Sequence, residues 1–335
     1  MKGLSLTAYF LGIDVGGTKT HALVADEQGQ ACGFGRAGGG NHEGVGYEGL
    51  SAAMQTAARQ AMAQAGIAPL HIAGAGFGLG GYDWPSELPP TLEAIRPLGI
   101  ANAAVEVVND AMIGLVAGAQ AGWGLAVVSG SGCNCWGRNR QHKYGNVTGM
   151  GYPMGEGAGG GELVSEAVRR VSRAWSRRGP ATQLTGVFCQ LVGVKTASEL
   201  IEGLTQDRFS LRGRAAPLIF QAAQEGDPVA CELLRWAGEG LADLAAGVIR
   251  QIEIEQEQFE VVLVGSLFKG GPMLIEPMRA ALLKVAPGAS LVRLTTPPVV
   301  GGVLLGMEQC ALPTTRLRQR LIHTTQALLA VETPA

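Results

Sequence analysis

Two glycine-rich turns, each set between two β-strand patterns, constrain the fold of this chain more than any other feature. The first spans Asp14 to Thr20 with the sequence DVGGTKT, and the second spans Ser129 to Gly132 with the sequence SGSG. Glycine is favoured where backbone approaches another group closely or takes a positive φ angle. Successive N–H groups in such a turn can bind a phosphate. Because each turn opens one half of the chain, the pair indicates a nucleotide polyphosphate clamped from both sides.

The first turn differs from the better-known phosphate-binding motifs. It is neither a Walker loop nor a dinucleotide-binding G-x-G-x-x-G motif, because a strand and not a helix follows it. The hydroxyl of Thr18 could contact a phosphate, and the carboxylate of Asp14 could hold Mg²⁺ through water. For a single turn of this kind, an ordinary β-turn with a capping aspartate is the alternative.

The strand and helix patterns occur twice, which predicts an α/β fold of two similar domains with a cleft between them. The first predicted elements are strands at Tyr9–Asp14, Thr20–Asp26 and Ala31–Gly35, which form an antiparallel meander. A helix follows and ends at Gly66, and its apolar face is Leu50, Met54, Ala57, Ala58, Ala61 and Ala65. The other predicted strands are His71–Gly76, Ala104–Asn109, Gly124–Val128, Cys133–Arg138 and Val261–Val264. The other predicted helices are 110–121, Glu162–Arg178, 228–251 with Asp227 as its N-cap, Pro297–Gly306 and Leu317–Leu329. The pattern restarts near residue 122 and predicts domains at 1–122 and 123–311. Whether the helix at 315–330 joins the first domain is left open.

Charge and composition exclude several classes of function. With 26 basic and 28 acidic residues, the formal net charge of −2 lacks the basic surplus of a nonspecific nucleic-acid-binding protein. No uncharged apolar run approaches the roughly 20 residues of a membrane-spanning helix. Six cysteines without a signal-like start predict free thiols in a reducing cytoplasm. Cys133 and Cys135 lack two further ligands at zinc spacing and are interpreted as small strand residues.

Five segments make the chain similar to the N-acetylglucosamine kinase and activator-type ATPase group of the sugar kinase/hsp70/actin superfamily. In chain order they match the first phosphate motif, the hinge-and-catalytic motif, the second phosphate motif, the adenosine motif and the second hinge helix. The segments are Ile13–Thr20, Val107–Ala111, Val128–Asn134, Val264–Lys269 and Pro298–Gly302. Their order and their spread over most of the chain carry the resemblance.

The resemblance implies two ribonuclease-H-like, actin-like ATPase domains that bind ATP and Mg²⁺ and close on an acceptor. It implies that Asp110 takes the proton of the acceptor hydroxyl and that Asp14 holds Mg²⁺ through water. It assigns ATP contacts to Gly16, Gly17, Thr18, Lys19, Gly130, Ser131, Gly132, Gly213, Gly265, Ser266 and Lys269. Taken alone, an aspartate between a strand and a helix is usually an N-cap.

The same resemblance implies a sugar site. Its residues are Asn41, His42, Gly80, Asp110, Asn134, Met150, Gly151, Tyr152 and Glu156. In the group the last segment reads roughly GWGxxxGDEGS, whereas residues 149–159 here read GMGYPMGEGAG. Glu156 therefore stands where aspartate is usual, and Met150 replaces an aromatic residue. A turn residue is the alternative for Asn41, and a surface carboxylate or helix cap is the alternative for Glu156.

These motifs predict an ATP-dependent kinase that phosphorylates a hydroxyl of an amino sugar, such as N-acetylglucosamine, glucosamine or a close relative. Two alternatives stay open. One is an ATPase that activates a partner redox enzyme, and the other is a sugar or nucleotide sensor without turnover. The expected partner is a small sugar, with no nucleic acid and no membrane, and a homodimer is left open.

Overall fold

The computed structural model describes residues 7–147 and 149–331. The strands are β1 (Tyr9–Val15), β2 (Lys19–Asp26), β3 (Ala31–Gly38), β4 (Ile72–Leu79), β5 (Ala104–Asn109), β6 (Gly124–Ser129), β7 (Cys133–Arg138), β8 (Tyr144–Val147), β9 (Phe259–Val264) and β10 (Ala289–Arg293). The helices are α1 (His42–Ala65), α2 (Leu88–Ile95), α3 (Asp110–Gly118), α4 (Gly160–Trp175), α5 (Leu184–Val192), α6 (Ala197–Thr205), α7 (Ala216–Gln224), α8 (Pro228–Ile252), α9 (Pro272–Leu282), α10 (Val299–Gln309) and α11 (Thr314–Val331).

The first sheet places the ends of three parallel strands at one edge. Its strand order is β3-β2-β1-β4-β5. β2 pairs antiparallel with both β1 and β3, so the predicted meander is confirmed. β4 pairs in parallel with β1 and with β5. Val15, Leu79 and Asn109 therefore lie in register where these strands end.

Small residues let α1 pack closely on β3. A Cβ built on Gly35 would lie 2.0 Å from the carbonyl oxygen of Ala57, and one on Gly33 would lie equally close to Ala61. The predicted apolar face of α1 is confirmed, and its buried residues include Leu50, Met54, Ala57, Ala58 and Ala61. Gly66 ends the helix in the left-handed region at φ 66°. Because L-residues with a Cβ rarely adopt this conformation, glycine is the natural residue at this position.

The second sheet has the strand order β10-β9-β6-β7-β8. The predicted strand Cys133–Arg138 is confirmed as β7, which pairs antiparallel with β8. The predicted helix cap at Asp227 is also confirmed, because its side chain accepts a hydrogen bond of 2.8 Å from the N–H of Ala230. The long helix α8 therefore begins where the sequence pattern places it.

The chain divides into two compact units. Unit 1 comprises Met1–Ala126, Glu260–Val262 and Val292–Ala335, of which residues 1–6 and 332–335 lie outside the described part. Unit 2 comprises Val127–Phe259 and Leu263–Leu291. The sequence pattern predicts a second domain that continues to residue 311, whereas the structure returns residues 292–311 to unit 1.

Glycine contacts explain why α10 belongs to unit 1. A Cβ built on Gly12 of β1 would lie 2.4 Å from the carbonyl oxygen of Val299. A Cβ on Gly301 would lie 2.0 Å from the carbonyl oxygen of Ile113 in α3. Such close approach requires glycine on both sheet and helix. This packing links residues almost 300 positions apart, and no local pattern reveals it.

Arg318 of α11 binds the C-terminal end of α3. It is buried, and its guanidinium donates hydrogen bonds to the carbonyl oxygens of Val116 and Ala117. These carbonyls lack partners inside the helix. A cation at this end also interacts favourably with the helix dipole. The contact anchors α11 in unit 1.

Replacing Arg318 by alanine is expected to lower the free energy of unfolding by about 2 kcal/mol, because buried carbonyl groups lose their donors. Denaturant unfolding monitored by circular dichroism measures this change. Arg320→Ala is the matched control, because Arg320 is exposed on the same helix and makes one long contact of 3.4 Å with Gln28. The control should change stability by less than about 0.5 kcal/mol. Equal losses in both variants would contradict the anchoring role.

No single helix within residues 7–147 and 149–331 is long and apolar enough to cross a membrane. Taken together, α5 and α6 reach that length and composition, but they are bent by 63°.

Candidate active site

The edge of the first sheet brings together three residues that are predicted to be functional. Asp14 lies near the end of β1, Gly80 follows β4, and Asp110 begins α3 directly after β5. The N–H of Gly80 donates a 2.8 Å hydrogen bond to the carbonyl of Val15. A Cβ built on Gly80 would lie 3.3 Å from Oδ2 of Asp110. Glycine at this position therefore keeps the space beside the carboxylate free.

Burial raises the pKa of both aspartates at this edge. The pKa of Asp110 rises from 3.8 to about 6, mainly through burial, while the N–H groups of Asp110 and Ala111 oppose the rise. The pKa of Asp14 rises from 3.8 to about 7 through burial and then through the charge of Asp110, and Lys19 opposes it. A base is most effective when its pKa lies near the working pH. Asp110 is thus mostly ionised at neutral pH and suited to accept a proton.

The N-cap of α3 is Asn109 and not Asp110. Oδ1 of Asn109 accepts a 2.9 Å hydrogen bond from the N–H of Ala111. The alternative interpretation of Asp110 as the capping side chain is therefore wrong. Its carboxylate occupies the first helical position, where the positive end of the helix dipole favours the ionised form.

Asn41 lies close to the Gly80–Gly81 loop. Its Oδ1 caps α1 by accepting a 2.8 Å hydrogen bond from the N–H of Glu43. A Cβ built on Gly81 would lie 2.7 Å from the same oxygen, and Gly81 has φ +83°. The capping role accounts for this asparagine locally. The loop contact also places Asn41 beside the segment that contacts Asp110.

His42 packs against two residues of unit 1. Its ring stacks on Tyr47 with centroids 4.7 Å apart. Its Nε2 lies 3.4 Å from Oε1 of Glu87. These contacts hold the histidine at the start of α1, next to Asn41.

Neither close packing nor backbone conformation requires a glycine at position 17 of the first glycine turn. The N–H of Gly16 donates to the carbonyl of Lys19 at 2.9 Å, which closes the turn. Thr18 and Lys19 are exposed. No atom of the described residues lies within 4 Å of a Cβ built on Gly17, and its φ is not left-handed. A side chain would fit there, so the absence of one favours close approach by a ligand.

The second glycine turn shows the same property. Gly130 and Gly132 also have no atom of the described residues within 4 Å of a built Cβ, and neither has a left-handed φ. The start of α4 supports the turn, since Gly160 donates to the carbonyl of Gly130 and Gly161 to that of Ser131, both at 2.9 Å. The turn is thus fixed on its inner side and open on its outer side.

A groove of about 1490 Å³ in unit 2 passes this turn. The predicted ATP-contacting residues that line it are Gly130, Ser131, Gly213, Ser266 and Lys269. Gly265, with φ +114°, packs against the turn, and a Cβ there would lie 2.2 Å from the carbonyl oxygen of Ser129. The structure therefore brings the second phosphate motif, the adenosine motif and Gly213 to one groove.

The 149–156 segment is held together by its own contacts. Glu156 is buried, and its Oε2 accepts a 3.1 Å hydrogen bond from the N–H of Gly151. Met150 is exposed. The hydroxyl of Tyr152 donates to the carbonyl of Glu162 at 2.9 Å. Glu156 therefore fixes the loop and is no surface carboxylate.

Tyr152 and Asn134 sit in different surroundings. Tyr152 lines the groove beside Ser131, on the side of the predicted ATP contacts. Oδ1 of Asn134 is buried and has no hydrogen-bond partner among the described residues. An acceptor in that state is open to a donor from a ligand. Asn134 therefore remains a candidate ligand-binding residue.

Several residues of the site were not predicted from the sequence. Glu162 lines the groove, and its buried Oε2 has no partner among the described residues. Arg212 and Arg214 place positive charge on the same groove. Asp83 lies near Asp110, and its pKa rises to about 6 through burial and the charges of Glu87, Glu43 and Asp110. The residue nearest to Asp83 that the sequence analysis assigned to the site is Gly80.

Cys133 and Cys135 are core residues of β7. Both are buried, and burial raises the pKa of Cys133 to about 11 and raises that of Cys135 further. Sγ of Cys133 accepts a 3.3 Å hydrogen bond from the N–H of Ala158. Within the described residues, no group of three or more histidine, cysteine or acidic side chains is arranged to hold a metal ion. The interpretation as small strand residues is confirmed.

Known proteins resemble this chain over most of its length. The sequence profile of the BadF/BadG/BcrA/BcrD ATPase family matches residues 11–306. An N-acetyl-D-glucosamine kinase of Dictyostelium discoideum is 24% identical over 311 residues, which cover 89% of this chain and 98% of that protein. An N-acetylmuramic acid/N-acetylglucosamine kinase of Clostridium acetobutylicum is 23% identical and covers 90% of this chain and 99% of its own length.

A solved structure shows the same fold. A candidate N-acetylglucosamine kinase from Chromobacterium violaceum superposes with a TM-score of 0.63 at 22% identity. The match covers 89% of this chain and 98% of that one. The predicted fold class, α/β with two actin-like ATPase domains, is therefore confirmed.

Proposed function

Because this chain belongs to the BadF/BadG/BcrA/BcrD ATPase family, we propose that it is an ATP-dependent kinase that phosphorylates a hydroxyl of an amino sugar. N-acetylglucosamine, glucosamine and close relatives are the candidate substrates. The relatives named as N-acetylglucosamine kinases support this choice. The proposal includes a cytoplasmic location, which the six free cysteines support.

The observation that carries the proposal is the position of Asp110. It is a partly exposed carboxylate at the end of a parallel strand, beside a glycine loop and Asp14. We assign it the role of general base. It takes the proton of the sugar hydroxyl while that oxygen forms a bond to the γ-phosphorus, and ADP leaves. Asp110 lies in unit 1, and the groove lined by several predicted ATP contacts lies in unit 2.

The residues near Asp110 fit a magnesium ion. Mg²⁺ is usually held by one or two carboxylates together with substrate phosphates and water. Asp14 offers one carboxylate. Burial first and then the charge of Asp110 raise its pKa, and a cation would favour its ionised form. When bound, Mg²⁺ supplies charge neutralisation at the transferring phosphoryl group. Asp14 would hold it through water.

The decisive experiment measures ADP release over a panel of sugars, with identification of the product. The panel contains glucosamine, N-acetylglucosamine, N-acetylmuramic acid and glucose. We expect sugar-dependent ADP release with at least one amino sugar and a phosphorylated product. Sugar binding without ADP release would favour the sensor. Sugar-independent ATP hydrolysis in a brown, oxygen-sensitive protein would favour the redox-activating ATPase, and a visible absorption spectrum detects that case.

Replacing Gly130 by alanine is expected to weaken ATP binding without loss of stability. A methyl group there meets no described atom of the chain but enters the space assigned to the phosphates. Overpacking of this kind costs about 1–3 kcal/mol. Isothermal titration calorimetry measures the affinity, and thermal melting measures the stability.

Gly186→Ala is the matched control for this variant. Gly186 lies on α5 of the same unit, and it too has no described atom within 4 Å of a built Cβ. It should bind ATP as the wild type does. If Gly130→Ala also keeps wild-type ATP affinity, the turn does not hold the phosphates.

A further inference from the structure

Asn109 uses both ends of its buried amide to join two segments. The side chain is 1% exposed. Its Oδ1 accepts a 2.9 Å hydrogen bond from the N–H of Ala111 at the start of α3. Its Nδ2 donates to the carbonyl of Tyr82 at 3.2 Å and to Oδ1 of Asp83 at 3.0 Å. One amide therefore ties the start of α3 to the loop that follows β4.

Both segments carry groups of the candidate active site. α3 begins with Asp110, the proposed base, and the loop begins with Gly80, which packs beside that carboxylate. Asn109 and Leu79 are the paired last residues of β5 and β4. A shift of the loop relative to α3 thus changes the space beside Asp110 directly.

The chemistry of Asp83 makes an amide at position 109 important. Burial and the nearby negative charges of three carboxylates raise the pKa of Asp83, and these are Glu87, Glu43 and Asp110. The hydrogen bond from Asn109 lowers that pKa, because it stabilises the ionised form. The backbone N–H of Asp83 donates to Oε2 of Glu87 at 2.8 Å, which holds the turn. A side chain at position 109 that only accepts hydrogen bonds would face Asp83 without a donor.

We propose that Asn109 is a positioning residue that fixes the loop Gly80–Asp83 against Asp110 and thereby sets how the sugar hydroxyl meets the base. It acts through its hydrogen bonds and not by touching substrate. The inference rests on the proposed kinase function. A misplacement of about 1 Å can cost roughly 100-fold in rate.

The central test is Asn109→Asp in the full-length protein. Aspartate is as good an N-cap as asparagine, so α3 keeps its cap. A second buried carboxyl beside Asp83 is expected to lower the melting temperature, so the kinetics are measured well below it. The donor to Asp83 is lost and a like charge takes its place. We expect kcat/KM for the sugar to fall about 10–100-fold, while KM for ATP stays near the wild-type value. A capping role alone predicts wild-type sugar kinetics and would overturn the proposal.

A reciprocal variant separates positioning from general damage. Asp83→Asn alone keeps an acceptor for Nδ2 of Asn109, so its loss should be much smaller than that of Asn109→Asp. In the double variant, Asn109→Asp with Asp83→Asn, the amide at 83 can donate to the carboxylate at 109. We expect its kcat/KM to exceed the product of the two single effects, which is the signature of direct coupling. Strictly multiplicative losses would contradict the proposal.

Two further variants keep the test decisive. Asn109→Gly is tolerated at an N-cap but carries no side-chain donor for Asp83, and it replaces Asn109→Asp if that variant fails to fold. Asn139→Asp is the matched control. Asn139 is a buried asparagine of unit 2 whose Nδ2 donates to the carbonyl of Ile252 at 3.0 Å and whose Oδ1 accepts from two N–H groups.

Asn139→Asp should lower the stability of the protein. It should change kcat/KM for the sugar no more than it changes kcat/KM for ATP. If it shifts sugar kinetics as much as Asn109→Asp does, the effect is general and the proposal fails. Failure of the proposed function gives a different result, because the wild type itself would then phosphorylate no amino sugar.

Discussion

Asp110→Asn is expected to lower kcat by about 10²–10⁴, the usual range for loss of a general base. The hydroxyl of a sugar is a very weak acid, and the amide cannot take its proton. ATP affinity should change little, because the predicted ATP contacts gathered in the groove lie in unit 2. Steady-state kinetics with the preferred sugar and calorimetry with ATP measure the two effects.

The fold should tolerate this variant, because Asn109 and not Asp110 caps α3. The pKa of Asp110 is about 6 in the folded protein against an ordinary 3.8. The folded protein therefore binds this proton more tightly than the unfolded chain does. The carboxylate consequently reduces stability increasingly as the pH rises from about 4 to 6, and its neutral replacement recovers that loss at pH 8.

Asp243→Asn, at an exposed position of α8, is the control and should keep wild-type kcat. Near-normal turnover in a folded Asp110→Asn protein would remove Asp110 as the base. A lower melting temperature at pH 8 would contradict the pKa argument.

Local sequence patterns predicted several strands and helix ends correctly. β5 and β7 have the predicted bounds, and the meander and the caps at Gly66 and Asp227 are confirmed. In each case the signal lies within a few residues: an apolar alternation, a turn glycine or a capping side chain. Such local preferences predict the structure correctly where the tertiary packing favours the same conformation.

Long-range packing was not predictable in the same way. The second-domain boundary at residue 311 does not match the structural units, because α10 packs on Gly12 and on α3 through glycines far away in the sequence. The groove in unit 2 also gathers distant loops. Of its lining residues between 191 and 217, only Gly213 was predicted, and that came from the resemblance.

The site residues that the sequence could predict are again those with a local signal, and the others depend on long-range packing. Asp14, Gly80 and Asp110 lie at the ends of parallel strands that share one edge, so a strand prediction with a motif places them together. Asp83 and Glu162 become visible only when burial and missing partners are known. Tyr152 was expected at the sugar and lines the groove with the ATP contacts.

Asp14 is the residue through which a metal dependence is expected to appear. Burial, and then the charge of Asp110, raise the pKa of the Asp14 carboxyl to about 7, and a bound cation would favour the ionised form. Asparagine has the same shape but no charge to hold the waters of Mg²⁺. The protein should therefore fold normally after this replacement.

Asp14→Asn is expected to lower kcat/KM for MgATP about 10–100-fold, the usual cost of losing a group that orients a metal through its outer shell. Part of the loss should be recovered at high Mg²⁺ concentration, because the phosphates of the nucleotide would still bind the ion. Binding of ATP in the presence of a chelator should equal that of the wild type, since Asp14 acts on the metal and not on the nucleotide. Kinetics over a series of Mg²⁺ concentrations measure this dependence, with Asp243→Asn as the control. If Asp14→Asn shows the wild-type Mg²⁺ response at full activity, Asp14 does not hold the metal.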